Sequence, residues 1–391
     1  MTTTPSSAPF PGRLVNFEAA KAEHGERAEH MVRMLAVGDP LADAVIAELD
    51  SLGKDGRRLL NQGLADGLDS LGDPPPAIAA LLRRLETLPD WADPDALAAG
   101  DRVAHLVPPL WNTLAFSAGS LSHTYSSPSI ARLLVQTGKL DTMAARRLAE
   151  TGLWKISAIL PGGLHRGAAG YLQTAQVRLL HARVRATALK HGWETERWGL
   201  PINQVDVART WLDFTVVPYS FLAAVGFVLT DEEQRSLYEY WWHVAHLLGL
   251  DEGFFLGMRS HAEASALADL LDSTIEAPDH NSRVLNKALY DATADFLADA
   301  PRSTFTKESA RDLLHAVARH FHGDAIADAL GVPHSGAAAA LPALAAGHAQ
   351  ARRYQSLVPG AAELERAANI QAYTAIAASV QGATAYQSNI V

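Results

Sequence analysis

The chain has 391 residues, 48% hydrophobic and 19% charged, with a net charge of −10 at neutral pH. This is a globular composition, and its acidic balance leaves no footprint for phosphate-driven nucleic-acid binding. The absence of cysteine excludes disulfides, Cys-ligated zinc, iron–sulfur clusters, thiolate-ligated iron and a cysteine nucleophile.

The first segment, Met1 to Phe10, has neither a basic start followed by an apolar run nor a twin arginine. Residues 1–12 are expected to be a flexible tail, 13–391 a single helical domain with its core at about 108–250, and the protein cytoplasmic. Ala, Leu and Arg dominate, and β-branched alternation is nearly absent, so the fold class is all-α. One or two amphipathic helices are expected over 13–52, another over 57–72 up to Gly72-Asp-Pro-Pro-Pro76, and a leucine-striped one over 76–88; after the turn-rich Pro89–Pro94 a helix is expected to resume over Asp95–Val107. The segment from Trp111 to Leu121 carries Ala115, Ser117, Ala118, Gly119 and Ser120, small residues that leave room for something to pack on the backbone. Ser126-Ser-Pro-Ser129 caps a short helix to Gln136, and Thr137 to Asp141 is a turn. Helices follow from near Asp141 to Ile159 and from Tyr171 to Lys190, separated by Pro161-Gly-Gly163. The next spans 203–227 with an expected kink at Pro218. The uncharged stretch Phe214 to Leu229 contains Pro218 and Gly226; it is too short and broken for a membrane span and reads as a buried helix. Thr230-Asp-Glu-Glu233 has capping-box spacing and starts a helix to 249. The Gly/Ala-rich segment 331–348 reads as packed helix and loop, and no repeat of fixed period is present.

Within the 171–190 helix, His181 shares a face with Arg178 and Arg185, because residues three and four apart are helix neighbours. A half-buried imidazole between two guanidinium groups suits a ligand to a metal inside an anionic cofactor, and haem has that chemistry. A core histidine bonded to a carbonyl is the ordinary alternative, which spacing alone leaves open. On the preceding helix Arg147, Glu150 and Thr151 fall on one face at i, i+3 and i+4, although Glu150 also has Arg146, Arg147 and Lys155 within pairing distance along its own helix. Other candidates are weaker. His243 and His246 sit behind Trp241-Trp242, where an aromatic core is the simpler reading. His165-Arg166 lies in a glycine-rich turn, Glu23-His24 and Glu29-His30 lie on a charged face, and His320-Phe-His322 is too tight for one helical face. Gly162-Gly163 lacks the strand and the Gly-Lys-Ser/Thr of a phosphate loop. Gly119-Ser120 lacks the setting of a serine hydrolase, and paired Glu-x-x-His motifs are absent.

The pair Arg147-x-x-Glu150-Thr151, followed about thirty residues on by Val177-Arg178-Leu-Leu-His181-Ala-Arg-Val-Arg185, resembles the latex-clearing-protein (rubber oxygenase) family, which includes fungal oxygenases that cut a polyprenyl side chain. The resemblance implies a globin-like all-α core around haem b and cleavage of alkene double bonds with O₂. It implies His181 as the iron ligand, Arg178 and Arg185 as arginines near that ligand that hold propionates or buttress the helix, and Arg147 and Thr151 as distal residues that orient O₂. Glu150 stands where members can carry a lysine; a carboxylate there can move protons but would not cap iron as an amine does. The expected function is a haem-dependent oxygenase acting on a hydrophobic alkene and O₂. A haem peroxidase or peroxygenase and a cofactor-free binding protein for hydrophobic ligands are the alternatives. No nucleic-acid partner and no integral membrane span are expected.

Overall fold

The computed structural model describes residues 11–136, 140–301 and 303–381. Among the described residues the chain is helical throughout, with no strand. Most of the expected tail 1–12 and of the turn Thr137–Asp141 lies outside the described residues; Gly12, at the edge of that tail, already donates its N–H to the Glu196 carbonyl at 2.9 Å.

The N-terminal quarter is a set of short helices, Phe17–His24, Glu26–Met34, Pro40–Asp66 and Pro76–Glu86. The span Pro40–Asp66 is two helices that meet at Gly53, whose non-helical backbone (φ 59°, ψ −129°) is open to glycine at little steric cost, so the break expected between residues 52 and 57 is present. Its start is fixed by chemistry: Asp39 accepts from the Ala42 N–H, and Pro40 takes a first-turn position where no donor is needed.

The middle of the fold is the hairpin of Leu140–Ile159 and Ala169–Lys190. The first helix is packed against the second, against His280–Asp299 and against Ala361–Gln381; the second also meets Pro40–Asp66 and Asp231–Leu248. The two helices run antiparallel with their backbones in close approach at one end: a Cβ on Gly170 would lie 2.5 Å from the Ser157 carbonyl oxygen and 2.7 Å from the Ala158 Cα. One turn further, Trp154 Nε1 donates to Thr174 Oγ1 at 2.9 Å.

Three departures from the expected elements have physical reasons. The helix expected over 203–227 is two helices, Gln204–Leu212 and Val216–Ala224, broken at Thr215 (φ −118°, ψ −95°) rather than kinked at Pro218. Pro218 is the third residue of the second helix, where a missing N–H costs nothing. The small-residue segment Ala115–Leu121 is a π-helix, buried along its whole length. Its room is filled by Phe221, whose side chain lies 3.3 Å from where a Cβ on Gly119 would sit. The region from Asp95 to Val107 is a short helix, Pro94–Ala99, and a 3₁₀ turn, Ala104–Leu106, in place of one helix. The capping box at Thr230 and Glu233 is present as expected, with Glu233 N–H to Thr230 Oγ1 at 3.2 Å and Thr230 N–H to Glu233 at 2.9 Å. Among the described residues, no helix is long and apolar enough to cross a membrane.

Candidate functional site

The hairpin places the candidate residues by register. The close contact of Gly170 with Ser157 and Ala158 and the Trp154–Thr174 bond keep a constant sum of residue numbers, as an antiparallel pair must. Continuing that register sets Thr151 at the level of Val177, Glu150 at the level of Arg178 and Arg147 at the level of His181. By this extrapolation the residues singled out on the two helices fall along the middle of one hairpin, spread over about one helical turn.

His181 is half-buried, and none of the described residues makes a hydrogen bond to its ring. Burial, with the Arg185 guanidinium adding to it and Asp39 opposing, lowers its pKa to about 4. At neutral pH the ring is therefore uncharged and keeps a lone pair free. The core-histidine alternative required a carbonyl partner, and the described residues supply none.

The two flanking arginines are both engaged. Arg178 donates Nε and Nη2 to the two oxygens of Asp39 at 2.5 and 2.9 Å, and Nη1 to the Leu247 carbonyl at 3.4 Å. Arg185 donates Nε to Asp43 at 2.9 Å and Nη1 to the Ile202 carbonyl at 2.5 Å, while its Nη2 is buried without a partner. Of the two roles expected for these side chains, the geometry carries the buttressing one: they tie the His181 helix to the start of Pro40–Asp66 and to the Pro201–Ile202 turn.

On the facing helix, Arg147 Nη1 donates to the Leu134 carbonyl at 3.1 Å, and Thr151 Oγ1 donates back to the Arg147 carbonyl at 2.7 Å. Glu150 pairs with Arg146, Nε to Oε1 at 2.7 Å, and not with Lys155. Lys155 is buried; its Nζ donates to Asn112 Oδ1 at 2.5 Å and lies 5.0 Å from the Phe116 ring centroid. Burial lowers the Lys155 pKa to about 8, with Asp101 opposing. One turn on from Thr151, Trp154 joins an aromatic cluster. Trp154 meets Phe214 edge-on at 4.9 Å, Phe214 stacks on Trp241 at 5.4 Å, and Phe116 packs on Phe214 at 5.5 Å. Phe214, the first residue of the uncharged stretch, thus packs into this aromatic cluster ahead of the helix Val216–Ala224.

The weaker candidates are accounted for elsewhere. Arg166 faces Glu86 at 3.8 Å, and His320 and His322 bond the carbonyls of Ala224 and Ala118 at 3.2 and 2.8 Å. His243 and His246 stack at 6.1 Å within an aromatic cluster, as the core reading expected.

One polar cluster was missed from sequence. His123, directly after the π-helix, has Nδ1 2.6 Å from Asp213 and Nε2 2.8 Å from Asp272; Arg209 reaches Asp272 at 3.1 Å and the His123 carbonyl at 2.8 Å. Thr124 Oγ1 donates to the other Asp213 oxygen at 2.5 Å. Burial and Arg209 push the His123 pKa down, but the two carboxylates outweigh them and raise it to about 9. The cluster pins the π-helix to the break between Leu212 and Val216. No local spacing marks it, since its members are spread over 150 residues.

The family described as "ER-bound oxygenase mpaB/B'/Rubber oxygenase, catalytic domain" matches residues 102–353, a wider span than the core expected from the motifs. A solved structure of latex clearing protein in the closed state superposes with a TM-score of 0.61 at 20% identity, over 87% of this chain and 91% of that one. At that identity the superposition establishes the all-α fold that the two share. No curated protein matches the chain.

Proposed function

The chain belongs to the family of mpaB-type and rubber oxygenase catalytic domains, and from that premise we propose that it is a haem b-dependent oxygenase that cleaves or oxidises the double bond of a hydrophobic alkene with O₂. The observation that carries this reading is His181: a half-buried, uncharged imidazole without a hydrogen-bond partner among the described residues. Such a ring fits the donor that haem iron requires.

In this reading His181 holds the iron, and the haem supplies O₂ binding and redox chemistry. Arg178 and Arg185 act one step back: their pairs with Asp39 and Asp43 fix the rotation of the helix that presents His181. Ligand orientation set by such outer partners governs affinity in metal sites generally. Arg147, anchored on the Leu134 carbonyl, would supply a positive charge for orienting O₂, and Thr151 a hydroxyl whose proton goes to the Arg147 carbonyl, which leaves its oxygen to accept. Glu150, a carboxylate paired with Arg146, would take or return a proton during turnover. Trp154 and Phe214 wall the apolar side. Cleavage of one C=C bond by one O₂ gives two carbonyl groups and requires no external reductant. The substrate in this reading is a hydrophobic alkene, a terpenoid, prenyl or aryl one.

The test is the visible spectrum with a pyridine haemochrome assay on the wild type and His181→Ala. A haem b haemochrome in the wild type that disappears in the variant supports the reading. Full haem content in the variant overturns His181 as the ligand, and a wild type that stays colourless when supplied with haem overturns the oxygenase reading. Consumption of H₂O₂ in place of O₂ would assign the peroxygenase alternative.

A further inference from the structure

A pocket of about 220 Å³ opens between the loop at Trp91, the short helix Pro94–Ala99 and the helix Asp231–Leu248; its lining includes Trp91, Asp93, Glu239, Tyr240, Trp242 and Arg259 around a floor at His243. It shares no lining residue with the site formed by Arg147, Glu150, Thr151 and His181.

The chemistry of its walls is specific. Trp91 and Trp242 stand at 86° with centroids 5.9 Å apart, so they form a right-angled aromatic corner. Tyr240 turns its hydroxyl away, donating to the Ala158 carbonyl, and leaves its ring to the pocket. The face of Trp242 already holds one cation: the Arg259 guanidinium carbon lies 5.0 Å from the ring centroid. Aromatic faces attract cations through the ring quadrupole, tryptophan most strongly, and the gain grows where water is excluded. Asp93 and Glu239 bring two carboxylates against the single positive charge of Arg259, which Glu239 holds at 2.9 Å. An anion would meet this excess of negative charge with no unpaired cation to receive it.

The floor agrees with the walls. His243 is 5% exposed, and neither ring nitrogen has a hydrogen-bond partner among the described residues. Burial, with His246 and His165 adding to it, lowers its pKa to about 4, so the ring is neutral and does not repel a positive guest. A buried polar group left unpaired carries a cost that an N–H or O–H of a guest would relieve.

We propose that this pocket binds a small organic cation, a protonated amine or quaternary ammonium, seated in the Trp91–Trp242 corner and neutralised by Asp93, the carboxylate that Arg259 does not hold. The proposal stands apart from the haem reading; either can fail alone.

The experiment is calorimetric titration of the protein as purified with choline, tetramethylammonium and ethylammonium, and with 3,3-dimethylbutan-1-ol, the uncharged isostere of choline. At least one cation binds saturably, and the neutral isostere binds at least about tenfold more weakly than choline. Asp93→Asn weakens cation binding several-fold and leaves the isostere unchanged; asparagine caps the Pro94–Ala99 helix as well as aspartate does, so the fold is kept. Trp91→Leu abolishes binding of the cations. Equal affinity for choline and its isostere would reduce the site to an apolar pocket and overturn the proposal. So would the failure of all three cations to bind, or unchanged cation binding in Asp93→Asn.

Discussion

Arg178 is clasped by Asp39 across 139 residues of sequence, with Nε and Nη2 on the two carboxylate oxygens at 2.5 and 2.9 Å and both side chains buried. Asp39 does two things at once, since the same carboxylate caps the helix Pro40–Asp66. Asp39→Ala strands a buried guanidinium and is expected to cost about 3–5 kcal/mol in urea unfolding. Asp39→Asn keeps the cap and should recover about 1 kcal/mol of that loss. Haem retention should fall in both variants, because the clasp sets the rotation of the His181 helix. A loss below about 1 kcal/mol for the alanine variant, no more than a lost cap, would show that the clasp is not a buttress.

Glu150 and Arg146 form an i,i+4 pair on a partly exposed face. Such pairs contribute about 0.3–0.5 kcal/mol, so Glu150→Gln and Arg146→Ala should both leave the melting temperature nearly unchanged. The two should differ in turnover. Glu150→Gln removes the titratable group and is expected to slow alkene oxidation about 10²-fold or more if it moves a proton, with haem content intact. Arg146→Ala keeps the carboxylate and should slow it far less. Equal, small effects on rate would leave Glu150 as a surface pair only.

The site was legible in sequence where its logic is local. The helices at Leu140–Ile159 and Ala169–Lys190, and the faces carrying Arg147, Glu150, Thr151 and His181, follow from spacing of three and four. What Arg178 and Arg185 do was not legible, because their partners Asp39 and Asp43 sit about 140 residues away, where nothing in the local pattern pairs a carboxylate with a given arginine. The break at Thr215 was hidden for a different reason. Pro218 draws attention to itself as a helix breaker, but three residues into a helix it is harmless, and the chain is interrupted just upstream, where Thr124 and His123 claim the Asp213 carboxylate. The cluster around His123 was likewise invisible, being built by the fold from three separate segments.

That cluster and the buried histidines together set a pH window for stability. The folded His123 pKa is raised to about 9, above the ordinary value near 6.5 of an unfolded chain. Its contribution is therefore complete below about pH 6.5 and is lost as pH rises through about 9. His243, His246, His261 and His322 are shifted the opposite way by burial, each to about 4. Their contribution is present above about pH 6.5 and is lost as pH falls through about 4. Thermal unfolding against pH should peak between about 6 and 7 and fall on both sides. His123→Gln should lower the peak and flatten the alkaline limb between pH 7 and 9; the acid limb should shift as well, because the His123 charge helps hold down the pKa of Asp272 and of His322. An alkaline limb unchanged in that variant would remove His123 as its source.

The hairpin that sets the site offers a comparison of two glycines. Gly170 lies where the backbones meet: a Cβ there would fall 2.5 Å from the Ser157 carbonyl oxygen, 2.6 Å from that of Gly163 and 2.7 Å from the Ala158 Cα, all of them backbone atoms. Gly152, on the facing helix, has nothing within 4 Å of a Cβ. Replacing a helical glycine by alanine ordinarily stabilises by about 0.5–1 kcal/mol, because alanine loses less backbone freedom on folding. Gly152→Ala should show that gain. Gly170→Ala should show the reverse, a loss of about 1–3 kcal/mol, since the two helices must separate to admit the methyl group. The same separation would shift the register that sets His181 opposite Arg147, so haem affinity should fall in Gly170→Ala by more than its stability loss predicts from unfolding alone. Equal stability changes in the two variants would mean that the helices can part at no cost, and that the close approach at Gly170 does not fix the site.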